Sequence, residues 1–198
     1  MSTLLNDDYW SQRYESGQTG WDIGYISTPL KEYFDQLEDK SVSILIPGCG
    51  NSYEAEYLLR HGFTDITLID ISAVLVERLQ ENLQFYIENG TCHVIHQDFF
   101  FHQGQYDLII EQTFLSALDP SLRPRYVEQM YNLLKPGGKL VGVIFDFPFD
   151  GGPPFGGSKE EYLTMFKPYF RPVIFERCTN SIPPRAGNEL FIRLDPKW

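Results

Sequence analysis

The sequence predicts an α/β domain built on a doubly wound, mostly parallel sheet, and three observations lead there. Short apolar runs rich in β-branched residues alternate with stretches of helical periodicity. The runs are apolar on both faces, as strands covered by helices on both sides must be. Glycine or an acidic residue stands at or just past the end of each of the first four runs, where such sheets bind ligands. Right-handed crossovers between the runs give the double winding.

Residues 1–40 form a polar and aromatic lead-in with two short helices. One carries Trp10, Tyr14 and Gly17; the other runs from Pro29, a residue suited to a first turn, to Leu37. Val42–Ile46 is the first strand, closed by Pro47-Gly48-Cys49-Gly50. Asn51 or Ser52 caps a helix to His61, and Gly62 stops it. Ile66–Asp70 is the second strand. Ser72 opens one long helix with Leu75, Leu79, Leu83 and Tyr86 as its apolar stripe, ended by Asn89-Gly90. Cys92–His96 and Tyr106–Glu111 are the third and fourth strands. A helix spans Leu122–Leu134 and stops at Lys135-Pro136-Gly137-Gly138. Lys139–Phe147 is the fifth strand, followed by a Gly/Pro-rich loop over 149–157. A helix at Lys159–Phe166 and strands at Val173–Arg177 and Glu189–Leu194 close the chain. The expected organisation is one domain over 1–198, with residues 1–40 as a covering segment and 41–198 as the core.

Composition narrows the partners. A net charge of −11 argues against nucleic acid and against an anionic membrane surface. Cys49, Cys92 and Cys178 show no CxxC spacing, and the four histidines lack metal-ligand spacing, so neither a disulfide framework nor a metal site is expected. Met1–Tyr9 is polar and unlike a signal peptide. No apolar run approaches the ~20 residues that span a bilayer. A cytoplasmic monomer acting on a small molecule is the expectation.

The site candidates lie at the strand ends. Gly48 and Gly50 let backbone approach a ligand. The dinucleotide pattern G-x-G-x-x-G asks for a third glycine at position 53, which is Tyr53, and no P-loop is present. A nucleoside without a pyrophosphate fits better. Asp70, with Ile71 beside it, follows Gly48 by about 20 residues, the spacing of a carboxylate that accepts from ribose hydroxyls; the alternative is a helix cap. Asp98 suits the amine of an adenine, with Phe99 against the ring, and it too has a capping alternative. Glu111 and Gln112, at the end of the fourth strand, are the candidate catalytic pair. Glu111 is expected to face the cleft and meet an amino group or a positive sulfur; the alternative is a solvated strand end. Trp10 and Tyr14, four residues apart on a helix, join Trp21 as ring faces that attract a cation or simply pack. Gly151-Gly152-Pro153-Pro154-Phe155 suits a lid or a plain surface loop. No Ser-His-Asp or Cys-His arrangement is visible. An in-line group transfer needs none, since proximity and exclusion of water carry much of its catalysis.

Trp10-x-x-x-Tyr14 with Trp21-Asp22, Ile46-Pro47-Gly48-Cys49-Gly50, Asp70-Ile71-Ser72, Leu133–Gly138 and the Gly-Pro-Pro-Phe of residues 152–155 together resemble the thiopurine S-methyltransferase family. The resemblance is nearer its plant and bacterial thiol and halide methyltransferases, and it covers nearly the whole chain. It implies a Rossmann-like class I methyltransferase that uses S-adenosyl-L-methionine. It implies that Trp10, Tyr14 and Trp21 close over the cofactor and that Gly48 touches its methionine end. Asp70 would meet the ribose, Asp98 and Phe99 the adenine, and Glu111 with Gln112 the methionine end and the acceptor. Gln112 departs from the relatives, where plant members often carry tyrosine and thiopurine enzymes arginine. The expected acceptor is a thiol. The alternatives are an oxygen, nitrogen, halide or metalloid centre, a non-catalytic cofactor-binding module, and a nicotinamide oxidoreductase on the same sheet, against which Tyr53 counts.

Overall fold

The computed structural model describes residues 5–198; residues 1–4, the start of the predicted lead-in, lie outside the described residues. The helices are α1 (Asp7–Glu15), α2 (Thr28–Phe34), α3 (Tyr53–Arg60), α4 (Ala73–Asn82), α5 (Gln84–Glu88), α6 (Arg123–Asn132) and α7 (Lys159–Phe166). The strands are β1 (Ile44–Pro47), β2 (Ile66–Asp70), β3 (Cys92–His96), β4 (Tyr106–Gln112), β5 (Leu134–Phe145), β6 (Phe170–Arg177) and β7 (Glu189–Pro196). They form one sheet in the order β3-β2-β1-β4-β5-β7-β6. The first five strands are parallel, and β7 runs antiparallel between β5 and β6. Strand order reverses between β1 and β4, which places the ligand crevice at their carboxyl ends.

Every residue of β1 and β2 is buried, because apolar layers cover both faces. One layer gathers Leu30, Phe34, Leu58 and Leu75 from α2, α3 and α4; the other gathers Tyr126, Met130, Tyr162 and Phe166 from α6 and α7.

Several boundaries differ from expectation. α1 ends at Glu15, and Gly17 turns away at φ +69°. α2 ends at Phe34, short of Leu37. The helix opened by Ser72 is two helices, broken at Leu83, whose side chain stays buried while Phe85 of α5 stands exposed. α6 stops at Asn132, and β5 begins at Leu134 rather than Lys139. Between them the pairing shifts from Tyr106↔Leu134 to Leu108↔Lys139, so Lys135–Gly138 bulge out of the ladder, with Gly137 at φ +80°. The bulge is fastened: the Lys135 ammonium donates to Asp107 and to the Ser43 hydroxyl, both at 2.8 Å. Among the described residues no helix is long and apolar enough to cross a membrane.

Candidate active site

A cavity of about 530 Å³ opens at the carboxyl ends of β1, β2 and β4. Its floor is the turn after β1. Gly48, Gly50 and Ser52 all have left-handed backbone, at φ +55°, +53° and +52°, which folds the chain sharply into α3. Gly48 admits no side chain: a Cβ there would lie 2.0 Å from a ring carbon of Phe114. At Gly50 a Cβ would meet only the Tyr14 hydroxyl at 3.6 Å, so the demand there is on the backbone alone. The Cys49 thiol is buried and its pKa is pushed well up by that burial, so it packs rather than reacts.

The β2 tip carries Asp70 to the cavity wall. Its two oxygens accept from the Gly50 N–H at 3.2 Å and the Ser72 N–H at 2.9 Å. Capping of α4 falls to the Ser72 hydroxyl, which accepts from the Leu75 N–H at 3.2 Å. Burial pushes the Asp70 pKa up to about 6, against the pull of backbone N–H groups. Ile71 lines the wall beside it. Beyond β3, Asp98 and Phe99 line the next stretch. One Asp98 oxygen caps the 3₁₀ turn Phe99–Phe101 through the Phe100 N–H at 2.9 Å, so for that atom the capping alternative is realised. The Phe99 ring stands edge-on to Phe114, centroids 5.4 Å apart.

At the β4 tip strand alternation separates the expected pair. Gln112 lines the cavity, and its side-chain oxygen, buried, has no partner among the described residues. Glu111 does not face the cleft as expected. It points to the opposite face of the sheet, fully buried, where it accepts from the Tyr126 hydroxyl and from the Leu115 N–H at 3.2 Å. Those donors supply what a carboxyl needs in order to be buried there.

The roof comes from the lead-in. Trp10 and Tyr14 line the cavity from α1, and Trp21 meets both edge-on at centroid distances of 5.5 and 5.8 Å. α1 is docked by Tyr14, buried in the apolar layer of α2, α3 and α4, and by polar contacts with α4 and β3. Asp7 accepts from the Ala73 N–H at 3.0 Å and pairs with His96 at 3.1 Å. Ser11 bonds Ser72 at 2.9 Å, and Arg78 donates to the Tyr14 carbonyl at 3.3 Å. Asp22 ties the roof to the glycine turn by accepting from the Asn51 amide at 2.5 Å and the Tyr53 hydroxyl at 3.1 Å.

Three contributors escaped sequence reasoning. Phe114 fills the centre of the floor over Gly48. Arg185, almost buried, donates to the Trp21 carbonyl at 2.6 Å and to Glu189 at 3.3 Å, and its guanidinium lies over Phe145. Nothing in the spacing relates residue 185 to residue 21. Ser116 receives the Phe155 N–H at 2.7 Å, which fastens the Gly-Pro-Pro-Phe loop beside the cavity, where Pro153 and Pro154 join the lining.

The donor set fits a nucleoside bearing a positive centre. Acidic oxygens await hydroxyl and amine donors, aromatic faces suit a cation, and the Ser52 hydroxyl and the Gln112 side-chain oxygen lack partners among the described residues. Among the described residues the cavity lining holds one basic side chain, Arg185, and no cluster of cations for a pyrophosphate. Among the described residues no cluster suited to a metal ion occurs.

Comparisons with known proteins agree. The family model for thiopurine S-methyltransferase matches residues 5–190. A probable thiol methyltransferase 2 of Arabidopsis thaliana is 30% identical over 189 residues, covering 91% of this chain and 81% of the relative. A thiocyanate methyltransferase 1 of Brassica oleracea is 29% identical over the same shares, 91% and 81%. The solved 1,6-didemethyltoxoflavin-N1-methyltransferase of Burkholderia thailandensis, with S-adenosylhomocysteine bound, superposes at a TM-score of 0.75 and 16% identity, covering 96% of this chain and 86% of the other. Magnesium protoporphyrin IX methyltransferase of Synechocystis gives a TM-score of 0.75 and 14% identity over 97% and 98%. At such identities these two structures speak for the shared Rossmann-like fold. The family match runs from the roof helix to the start of the last strand, and the chain belongs to the thiopurine S-methyltransferase family of S-adenosylmethionine-dependent methyltransferases.

Proposed function

We propose that the chain methylates a small-molecule thiol and that the cavity described above is where it does so. The observation that carries this reading is the Asp70 carboxyl, set between two backbone amides on the wall of a cavity roofed by three aromatic rings. When bound, S-adenosylmethionine supplies an electrophilic methyl group on a sulfonium. Asp70, with Ile71 at its side, receives the ribose hydroxyls. Asp98 accepts from the adenine amine and Phe99 meets the ring. Gly48 and Gly50 admit the methionine end. Trp10, Tyr14 and Trp21 cover the whole and exclude water. Gln112 and Phe114 present the acceptor end. Little general-base help is needed, because a thiol loses its proton to water near neutral pH and the thiolate so formed is a strong nucleophile.

The direct test is a panel of thiols and halides scored by release of S-adenosylhomocysteine, with products identified by mass. Turnover confined to thiols is expected; turnover confined to halides, or none with any thiol, overturns the choice of acceptor. Residues 1–40 are read as the cofactor-covering segment and 41–198 as the core. Three unpaired cysteines fit a reducing, cytosolic setting. A monomer is expected by sedimentation.

Arg185 is read as the strut that holds Trp21 in the roof. Arg185→Ala should weaken S-adenosylhomocysteine binding roughly tenfold by calorimetry, the order of one lost charge-assisted hydrogen bond. An unchanged affinity removes the strut from the account.

A further inference from the structure

Glu111 is the one candidate cofactor or catalytic residue at the strand ends that does not line the cavity, yet the fold makes unusual room for it. It pairs with Gly142 of β5, and a Cβ on Gly142 would lie 2.2 Å from the Glu111 carbonyl oxygen and 2.4 Å from its Cβ. Its carboxyl then reaches past the end of its strand. It accepts from the Leu115 N–H at 3.2 Å, faces the Phe114 N–H, and takes the Tyr126 hydroxyl of α6. The amides it holds belong to the 3₁₀ turn Phe114–Ala117, entered through Thr113 in left-handed backbone at φ +58°. From that turn Phe114 covers Gly48. The Ser116 carbonyl of the same turn receives the Phe155 N–H, and Arg123 fixes the next residue of the loop through the Gly156 carbonyl at 2.6 Å.

We propose that Glu111 is a positioning residue whose buried carboxyl, steadied by Tyr126, pins the 113–117 turn and through it sets Gln112, Phe114 and the Gly-Pro-Pro-Phe loop around the methyl acceptor. The assignment of that end of the cavity to the acceptor rests on the functional reading above. A carboxyl suits the task better than an amide, because two oxygens can accept from three donors that enter from different directions. Burial pushes its pKa up to about 7, with the Tyr126 and backbone donors opposing. The titratable groups that face it are Tyr126 from α6 and Tyr162 from α7, both phenols whose pKa burial raises. The ionised form accepts from all three donors. The protonated form donates to the Tyr126 oxygen instead of accepting from it, and its bonds to the turn amides lose their charge assistance, so the turn loosens. The pinned arrangement is therefore complete above about pH 7 and decays below it.

The test compares wild type with Glu111→Gln and Tyr126→Phe by two readouts. The first is amide hydrogen exchange at Leu115 and Phe155, which needs no turnover. Both amides should exchange roughly tenfold faster in Glu111→Gln, with the amides of β1 and β2 unchanged. The second is the pH profile of acceptor KM at saturating cofactor, with an aromatic thiol that stays ionised throughout. Wild-type KM should fall as pH rises through about 7, while in Glu111→Gln it should be flat and roughly tenfold higher. Tyr126→Phe should shift the KM step to higher pH. Wild-type exchange at Leu115 and Phe155 in Glu111→Gln overturns the proposal. If wild type turns over no thiol, the functional reading fails, and the exchange measurement still decides whether Glu111 pins the turn.

Discussion

Gly48→Ala is expected to weaken S-adenosylhomocysteine binding at least about hundredfold while leaving the chain folded. Two costs add. Left-handed backbone at φ +55° charges an L-residue roughly 1–2 kcal/mol. The added methyl also starts 2.0 Å from the Phe114 ring, which must swing away into the cavity it lines. Gly50→Ala separates the two. Its backbone is equally left-handed, at φ +53°, but its Cβ would meet only the Tyr14 hydroxyl at 3.6 Å. The Gly50 variant should therefore lose stability comparably and keep much more of its affinity. Thermal melts and calorimetry measure both quantities. Equal affinities in the two variants would show that Phe114 does not control the floor.

Asp70→Asn is expected to weaken the same binding roughly 10- to 100-fold at neutral pH and to erase a pH dependence that wild type shows. The sign follows from the raised pKa. Folding lifts Asp70 from the ordinary 3.8 to about 6, so its protonated form is favoured in the folded apo protein. Its contribution to stability is complete below 3.8 and is lost as pH climbs through about 6. Ribose hydroxyls donate, so they favour the ionised form, and affinity moves the opposite way. It should rise up to about tenfold per pH unit below 6 and level off above. The asparagine variant should give a flat line through the same window. His96 lies close enough to Asp70 to lower its pKa, and the variant leaves His96 in place, so any step that survives belongs elsewhere. A wild-type profile without the step removes Asp70 from the ribose.

β1, β2 and β4 were legible because they are buried on both faces and announce themselves as apolar runs, whereas the edge strand β3 is half exposed. The tips of those three were legible for the same reason: Gly48, Asp70 and Gln112 each follow such a run and each lines the cavity, as does Asp98 beyond β3. Glu111 was misplaced because a strand tip was treated as one location, although alternate residues leave it on opposite faces. Helix lengths were less legible. The stripe from Leu75 to Tyr86 continues in sequence across a break at Leu83 that only tertiary packing sets. Periodicity could not report the antiparallel insertion of β7 between β5 and β6, because strand direction leaves no mark on side-chain pattern. Arg185 and Phe114 stayed hidden because their meaning lies in contacts with residues far away in sequence.

The manner in which α1 docks has an energetic consequence. Its ties to the start of α4 are hydrogen bonds and one imidazole–carboxylate pair, contacts that water can replace at small net loss. α1 can therefore open locally once these ties break and Tyr14 leaves the apolar layer it shares with α2, α3 and α4, at a cost below that of global unfolding. On the functional reading proposed above, occupancy should draw that opening closed by mass action, and amide protection of α1 should rise with S-adenosylhomocysteine concentration.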